Sequence, residues 1–501
     1  MLSVFIALVA IIASLLYFHS RRNLNFFKKN NVVHFKADPI WGHFKDLIFM
    51  KTSPADVISK IYNHKEFKGQ PYGGVFIMQK PGIFVKDIDL IKRIMITDSN
   101  KFNDHYADTH QGDTIGINNM FLAKGNRWRQ IRRKMVQAYT SGRMKSMFHL
   151  IDEVGNQLDK HLLALSIDNK ESCKAIKPIS SLYTTDVIAS TALGVEANSL
   201  NNPNAEFYNK GKVIFEFDFL RAIEFNTIFF LPKLAYIIKA KLFGKKADNF
   251  LKGIYHFVVE ERMKSGIYRN DLIDILVELK KENSSENCDY LFTDDALLSQ
   301  AATFFSAGFE TTSQTMSFAL YELAKHPQIQ SRLREEIGSV LQKTNGKITY
   351  DVINEMEYLG IVLKETLRLY PVLPYLDRVA TLEESEEFSL EPFGNFKIKN
   401  GMPVFIPVYA IHKDPKYFPE PEIFDPERFS PENRANIQSG TYFPFGNGPR
   451  TCIGERFALM SGKVGLFYYL KNHSFRINEK SHKEMKLSKS ALLLQAEGEI
   501  L

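Results

Sequence analysis

The feature that most constrains this chain is a glycine-rich segment near its C-terminal end, at residues 445–454. It reads Phe-Gly-Asn-Gly-Pro-Arg-Thr-Cys-Ile-Gly, and the residues directly after it favour a helix start. Glycines lack a Cβ, so the loop can adopt conformations closed to other residues and backbone N–H groups can approach the sulfur of Cys452. A helix N-terminus also lowers the pKa of a thiol. The segment therefore predicts a metal-binding thiolate at the mouth of a helix.

The alternative interpretation of Cys452 is a buried cysteine that acts only as a small apolar side chain. Six fixed positions in one segment make this unfavourable, since average residue usage gives a chance match of about one in 10^5 for a chain of this size. The other cysteines are Cys173 and Cys288. So sparse and odd a set argues against a disulfide framework and for a reducing compartment.

The segment resembles the haem-binding signature of the cytochrome P-450 superfamily. The matching positions are Phe445, Gly446, Gly448, Arg450, Cys452 and Gly454. The resemblance implies a mainly α fold with a minor β-sheet region, in a single large catalytic domain. It also implies haem b (iron protoporphyrin IX) as the cofactor, with Cys452 as the proximal ligand of its iron. The resemblance covers nearly the whole chain. Within the family, the chain is similar to microsomal, insect detoxifying members.

Composition agrees with one large folded domain. Of the 501 residues, 45% are hydrophobic and 24% are charged, which gives ample apolar material for a core. The net charge is +7, but Lys and Arg are spread along the chain and no nucleic-acid motif is present. This charge favours an anionic membrane surface or an acidic protein partner over nucleic acid. A merely solvated basic surface explains it equally well.

An apolar stretch at residues 2–18 predicts a membrane anchor. Its length is near the lower limit of about 17 residues for a spanning helix. Arg21 and Arg22 follow it, and the positive-inside rule keeps such a flank cytosolic. A cleaved secretory signal is the alternative, but no basic region precedes the stretch and no small-x-small site follows it.

The predicted domain organisation follows from that anchor. Residues 1–20 form a transmembrane signal anchor, residues 21–42 a linker, and residues 43–501 the catalytic domain. The predicted location is the cytosolic face of the endoplasmic reticulum membrane, so the protein should be found in the microsomal fraction.

Apolar periodicity gives a coarse secondary structure. Residues 73–86 read as strand, turn, strand, with the turn at residues 79–82. Most later segments have helical spacing. Helices are predicted at residues 87–97, 127–139, 181–194, 247–266, 294–325, 327–342 and 356–369. The phenylalanine-rich stretch at residues 215–230 favours core packing over contact with a ligand.

The predicted helix at residues 294–325 contains an unusual polar stretch. Ala307 and Thr311 share one face, and the Thr311 hydroxyl can bond to the carbonyl one turn earlier, which leaves a small polar notch. Structural packing of a threonine-rich helix explains the stretch equally well. The resemblance places Ala307 against the haem and gives Glu310 and Thr311 the roles of the family's acid–alcohol pair. In those roles Thr311 donates a hydrogen bond near bound oxygen and Glu310 carries protons from solvent.

Cationic side chains are expected around the two propionates of haem. The resemblance assigns this role to Trp128, Arg132, Arg378 and Arg450, against the alternative that each arginine is a solvated surface charge. Arg129 and Arg133 fall on the adjacent row of the same helix and should point outward, where they suit an acidic reductase. His105 stands where relatives often carry an arginine, so a further propionate contact is doubtful there.

A second ion-pair motif concerns folding. Glu365 and Arg368 lie three residues apart between apolar neighbours, so they can form a buried pair on one helix face. The later run at residues 426–429 resembles a family motif and supplies Arg428 as the third partner. This triad is assigned to folding and haem retention.

The predicted function is a monooxygenase that inserts one oxygen atom from O2 into an apolar small molecule, such as a xenobiotic, lipid or hormone. The chain has no dinucleotide or flavin fingerprint, so electrons should come from an NADPH-dependent cytochrome reductase, with cytochrome b5 as a second partner that the resemblance allows. A haem-thiolate isomerase or dehydratase and a haem carrier are the alternatives. The family positions of the substrate pocket, where core packing is the competing interpretation, are residues 115–121, 304, 307, 372–376 and 492–494.

Overall fold

The computed structural model describes residues 23–167, 174–202, 204–215, 219–282, 292–479, 481, 484–489 and 491–501. In these residues the protein is mainly helical, with two small sheets. In the first half of the chain the helices are α1 (Phe26–Lys29), α2 (Lys45–Ile48), α3 (Pro54–Tyr62), α4 (Ile88–Lys92), α5 (Thr114–Asn118), α6 (Gly125–Met135), α7 (Ser141–Ile167), α8 (Ile176–Ile188), α9 (Glu206–Lys212), α10 (Phe219–Phe230) and α11 (Pro232–Ile238). In the second half they are α12 (Lys245–Ser265), α13 (Leu272–Glu282), α14 (Asp294–Lys325), α15 (Pro327–Lys343), α16 (Tyr350–Glu355), α17 (Glu357–Leu369), α18 (Val408–His412) and α19 (Glu455–Lys471).

The larger sheet has four strands. The strands of both sheets are β1 (Tyr72–Ile77), β2 (Lys80–Val85), β3 (Leu376–Val379), β4 (Glu387–Ser389), β5 (Lys397–Lys399) and β6 (Pro403–Ile406). The order in the larger sheet is β1-β2-β6-β3, in which β2 and β6 are parallel and the other neighbours antiparallel. The remaining pair, β4 and β5, forms a separate antiparallel hairpin.

The early hairpin is confirmed, but its predicted turn is wrong. Ile77 pairs with Lys80, so the loop consists of Met78 and Gln79 alone, and Met78 adopts the left-handed conformation with φ 52°. Pro81 lies inside β2, opposite Phe76 and outside the short register that β2 shares with β6. A proline is tolerated there because its missing N–H removes no bond to β6.

The predicted helices are confirmed, with irregular ends. The helix expected at residues 294–325 has those same limits as α14, where Thr293 caps the N-terminus by accepting from the Ala296 N–H at 3.3 Å. The helices expected at residues 87–97 and 181–194 each finish in a π-helical turn, at Arg93–Thr97 and Ala189–Leu193. Helix α6 continues as a 3₁₀ turn, Val136–Tyr139.

Helix α14 is the centre of the helical core and packs closely on α8. Its Gly308 allows this close contact, because a Cβ there would lie 2.4 Å from the Ile188 Cδ1 atom and the Ile188 side chain would have to move. The close approach to α8 offsets the roughly 1 kcal/mol that glycine costs in a helix interior. Behind α14, residues of α7 and α19 complete the same apolar cluster, while a second cluster surrounds the larger sheet.

Within the described residues, no helix combines the length and the apolar character needed to cross a bilayer. The predicted anchor at residues 1–20 lies outside the described residues, as do Cys173 and Cys288. Residues 216–218 of the phenylalanine-rich stretch also lie outside them. Of the rest of that stretch, Phe230 is buried in the sheet cluster and Phe229 packs against it.

Candidate functional site

The loop before α19 is held by its own backbone. The Gly446 N–H donates to the Phe443 carbonyl at 3.0 Å, and the Cys452 N–H donates to the Phe445 carbonyl at 2.8 Å. Gly454 is the N-cap residue of α19, so Cys452 lies at the mouth of that helix, as the sequence predicts. The loop is therefore a closed turn that fixes the position of the sulfur.

Gly448 explains why this turn needs glycine. Its φ is +71°, and a Cβ would lie 1.9 Å from the Met95 carbonyl oxygen. The π-helical turn at Arg93–Thr97 therefore presses directly on the cysteine loop. Gly446 has a similar φ of +78°, but its nearest neighbour would be the Leu376 Cδ1 atom at 3.6 Å. Gly446 is needed only for its positive φ. Gly448 is needed both for its positive φ and because there is no room for a Cβ beside Met95.

The expectation of a lowered thiol pKa is wrong for the protein chain by itself. Burial raises the pKa of Cys452, and this outweighs the lowering by the Gly454 N–H and by Arg132. The physical reason is that desolvation disfavours the thiolate more than one amide dipole and one cation favour it. An anionic sulfur at this position therefore depends on ligation to a metal ion, which removes a thiol proton outright.

Two openings in the packing lie at Cys452 and at the middle of α14. Cys452 is exposed although protein surrounds it, and Ala307 is exposed although Phe305 and Phe309 on the same helix are buried. Tyr139 lies near both the cysteine loop and α14. Its ring centroid lies 5.3 Å from that of Phe304, and its Cε1 atom lies 3.9 Å from where a Gly454 Cβ would be. Accessible surface on both sides is what a flat group ligated by Cys452 would require between this loop and α14.

The propionate candidates Arg132 and Arg378 fit such a group. Arg378 is 2% exposed, and its guanidinium donates to the Asp377 carbonyl oxygen at 2.7 Å. Arg132 is partly buried near Cys452, and burial lowers its pKa. Within the described residues no carboxylate lies at ion-pair distance from either arginine. One buried and one partly buried cation, neither at ion-pair distance from a described carboxylate, match the two negative charges of haem propionates.

Arg450 has a different environment. Its guanidinium donates to the carbonyl oxygens of Asn103, Met120, Phe121 and Ala123, and to Asp104 Oδ1 at 3.3 Å. The guanidinium carbon also lies 4.0 Å from the centre of the Trp128 ring. Arg450 thus fixes the cysteine loop to residues 103–123. The propionate roles of Arg450 and Trp128 stay predictions.

The polar notch of α14 has the predicted geometry. The Thr311 hydroxyl donates to the Ala307 carbonyl oxygen at 2.7 Å, one turn earlier. Glu310 is 6% exposed, and its Oε1 atom forms an ion pair with Lys177 Nζ at 3.0 Å. Oε1 also accepts from the amides of Gln314 and Gln495. Gln314 was detectable from its spacing four residues after Glu310, but no local pattern pointed to Lys177 or Gln495.

The folding triad is present as the sequence predicts. Arg368 and Glu365 are both fully buried, with Nε–Oε2 and Nη2–Oε1 distances of 2.7 Å. Arg428 Nε lies 3.4 Å from Glu365 Oε1. Arg368 also donates to the carbonyl oxygens of His412 and Pro421, which precede the cysteine loop. The pair therefore holds in place the chain that leads into the cysteine loop.

The basic row of α6 points outward. Arg129 and Arg133 are exposed, whereas Trp128 on the neighbouring row is buried. His105 is buried, its Nδ1 atom lies 2.9 Å from Asp377 Oδ1, and its ring stacks on Phe121. Asp377, the partner of His105, is therefore a residue of this region that the sequence did not predict.

Parts of the predicted substrate pocket come together. Ile115, Phe304 and Leu494 are buried in one apolar cluster. The Leu494 N–H donates to the Val372 carbonyl at 2.9 Å, which joins two of the predicted segments. Contact of these residues with substrate stays a prediction.

Comparison with known proteins identifies the family. The family model described as cytochrome P-450 matches residues 35–501. Probable cytochrome P-450 6g2 of Drosophila melanogaster is 41% identical, over 99% of this chain and 97% of the relative. Two proteins of Blattella germanica, cytochrome P-450 6k1 and cytochrome P-450 9e2, are 38% and 37% identical, over 92% and 98% of this chain and 88% and 95% of the relatives.

The chain belongs to the cytochrome P-450 family. It is a haem-dependent monooxygenase, and its cofactor is haem b. Its similarity to these insect proteins agrees with the insect detoxifying type that the sequence predicts. Membership also implies a redox partner reductase and a small-molecule substrate.

Proposed function

We propose that this protein inserts one oxygen atom from O2 into an apolar small molecule, a xenobiotic, lipid or hormone, with electrons from an NADPH-dependent cytochrome reductase. The observation that carries the proposal is Cys452, which lies at the mouth of α19 and, like Ala307 of α14, is exposed among partly or fully buried neighbours. The acid–alcohol pair of Glu310 and Thr311 is on the same helix as Ala307. That pair favours oxygen activation over isomerase or dehydratase chemistry.

In this mechanism Cys452 would ligate the haem iron through its sulfur, and Arg132, Arg378, Trp128 and Arg450 would hold the propionates. When bound by this thiolate, haem would supply the electron density that favours cleavage of dioxygen. Thr311 keeps its hydroxyl beside Ala307 by donating to that carbonyl oxygen, so its oxygen is an acceptor there, and the hydroxyl becomes a donor to the reacting group when it turns away from Ala307. Glu310 moves protons from solvent toward Thr311. The apolar residues around Phe304 exclude bulk water from the notch.

The test of this function is spectroscopic and then catalytic. The reduced, carbon-monoxide-treated protein should show the far red-displaced Soret band of thiolate ligation, and Cys452→Ser should abolish it. With reductase, NADPH and oxygen, the wild-type protein should consume both cosubstrates in proportion to oxygenated product. Consumption without product contradicts the monooxygenase proposal. Product that forms without either cosubstrate favours an isomerase or dehydratase.

We also propose that the exposed row of Arg129 and Arg133 binds the acidic reductase, and that cytochrome b5 uses the same surface. Exchanging both arginines for Glu should slow reduction by the reductase at low salt while haem content stays normal. The control carries the same charge change at Lys245 and Lys246, which are exposed in the first turn of α12. Equal reduction rates in the two double variants contradict this docking surface.

The proposed location is the cytosolic face of the endoplasmic reticulum membrane, with residues 1–20 as the anchor, 21–42 as the linker and 43–501 as the catalytic domain. An exposed apolar patch on α10 and α11 supports membrane contact, and Leu220 and Ile237 in it are 72% and 73% exposed. Lys233 and Lys239 flank the patch, as expected for a surface that meets anionic lipid headgroups.

Fractionation of cells that express the full chain tests this location. The protein should remain with microsomal membranes after alkaline carbonate extraction, and protease added from the cytosolic side should digest the catalytic domain. Release into the soluble fraction contradicts the anchor, and protection from protease contradicts the orientation.

A further inference from the structure

The three described polar partners of the Glu310 carboxylate all contact the same oxygen atom, Oε1. Lys177 Nζ lies 3.0 Å from Oε1, the Gln314 amide donates to Oε1 at 2.8 Å, and the Gln495 amide donates to it at 3.0 Å. Lys177 is in the first turn of α8, Gln314 is in α14, and Gln495 is in the C-terminal segment. Three separate parts of the chain therefore converge on a single oxygen atom.

The second oxygen, Oε2, is in a different position. Among the described residues, no side chain or backbone group donates a hydrogen bond to Oε2. A carboxylate oxygen already bonded to three donors, one of them charged, is a poor site for a proton, because the incoming proton must displace a donor. The two oxygens of Glu310 are thus chemically unequal.

We propose that Lys177, Gln314 and Gln495 form a clamp on Oε1 of Glu310, so that Oε2 is the atom that takes up and releases protons. This inference rests on the proposed function, in which Glu310 delivers protons toward Thr311. The clamp residues are positioning residues, since they act through Glu310. In each cycle Oε2 binds one proton from solvent and releases one inward, so the carboxylate returns to its starting charge and Lys177 keeps its own proton.

The position of Lys177 suits this role. Its side chain is 25% exposed, so the ammonium lies at the boundary between solvent and the buried Glu310. It also donates to the hydroxyls of Ser313 at 2.8 Å and Ser181 at 3.1 Å, which fix its direction. Burial lowers the pKa of Lys177, and the charge of Glu310 opposes that change. Tyr208 is a further titratable group that faces Glu310, and burial raises its pKa.

The experiment compares Lys177→Met and Gln495→Leu with wild type. Lys174→Met is the matched control, since Lys174 is exposed just before α8. The first measurement is the infrared band of the protonated Glu310 carboxyl, followed against pH in purified haem-loaded protein and assigned with Glu310→Gln. Each clamp variant loses one donor to Oε1, so the frequency of this band should differ from that of wild type, whereas Lys174→Met should leave it unchanged.

The second measurement is turnover with reductase and NADPH. In the clamp variants the fraction of NADPH converted to product should fall several-fold and the solvent isotope effect should rise, with KM unchanged. Lys177→Arg keeps the charge and a donor, so it should restore both quantities. It also tests the clamp in a protein that folds normally, should Lys177→Met fold poorly.

The outcomes separate the clamp from the function on which it rests. If wild type shows the thiolate Soret band and forms product while both clamp variants match Lys174→Met in band position and coupling, the clamp is refuted and the function stands. If wild type forms no oxygenated product, the proposed function fails. The infrared measurement then still decides whether the three donors control protonation of Glu310.

Discussion

Replacing Arg368 by Ala should unfold much of this protein or prevent haem retention. The guanidinium is fully buried and bonds to both oxygens of Glu365 and to three backbone carbonyls, those of His412, Pro421 and Ile423. Removing one partner of a buried ion pair costs about 3–5 kcal/mol. Each carbonyl left without its donor adds about 1 kcal/mol. The loss is then roughly 6–8 kcal/mol, against a typical free energy of unfolding of about 5–15 kcal/mol.

The assay is haem content per protein, together with urea denaturation followed by the Soret band. Arg368→Lys should lie between wild type and Arg368→Ala, because an ammonium cannot reproduce the planar two-point contact with Glu365. The matched control is Arg332→Ala. Arg332 also pairs with a glutamate, Glu427, but its side chain is 57% exposed, so the expected cost is below about 1 kcal/mol. Normal haem loading and stability within about 1 kcal/mol of wild type in Arg368→Ala would refute this reasoning.

Three further outcomes follow from the site. Gly448→Ala should lower haem retention far more than Gly446→Ala. Both positions need a positive φ, but only a Cβ at position 448 would lie 1.9 Å from the Met95 carbonyl oxygen. Equal haem content in the two variants contradicts this prediction. Arg450→Lys should loosen residues 103–123, so hydrogen exchange there should rise, and unchanged protection contradicts the proposed fixation. Burial lowers the pKa of His412 from 6.5 to about 3. The unfolded chain therefore binds a proton that the folded one excludes, so the free energy of unfolding should fall by about 4–5 kcal/mol as the pH drops from 6.5 to about 3. Denaturation of His412→Gln across this range should show a flatter dependence, and an unchanged slope contradicts the assignment.

Much of the site could be predicted from sequence because its signals are local. The cysteine loop, the limits of α14 and the Thr311 hydroxyl bond to Ala307 each depend on residues within a few positions of one another. Local backbone geometry and helix periodicity govern such features, and both are written in a short window. The Glu365–Arg368 pair follows for the same reason.

Other features could not be predicted, because they depend on segments that are distant in the chain. The Pro-Gly signal near Gly82 predicted a turn, but the partners of β2 and the left-handed Met78 moved the turn toward β1. The helix N-terminus predicted a lowered thiol pKa for Cys452, but burial raises it. In both cases packing outweighed a correct local preference.

The sequence by itself determined the family and the cofactor, and it predicts Cys452 as the iron ligand, because these residues at this spacing let a short loop bring backbone N–H groups to one sulfur. Only the tertiary structure decided which charges meet. It brings Lys177 and Gln495 to one oxygen of Glu310 and commits Arg450 to residues 103–123. Long-range ion pairs and hydrogen bonds form only after the packing of helices has set the distances and excluded water, and no pattern along the chain encodes them.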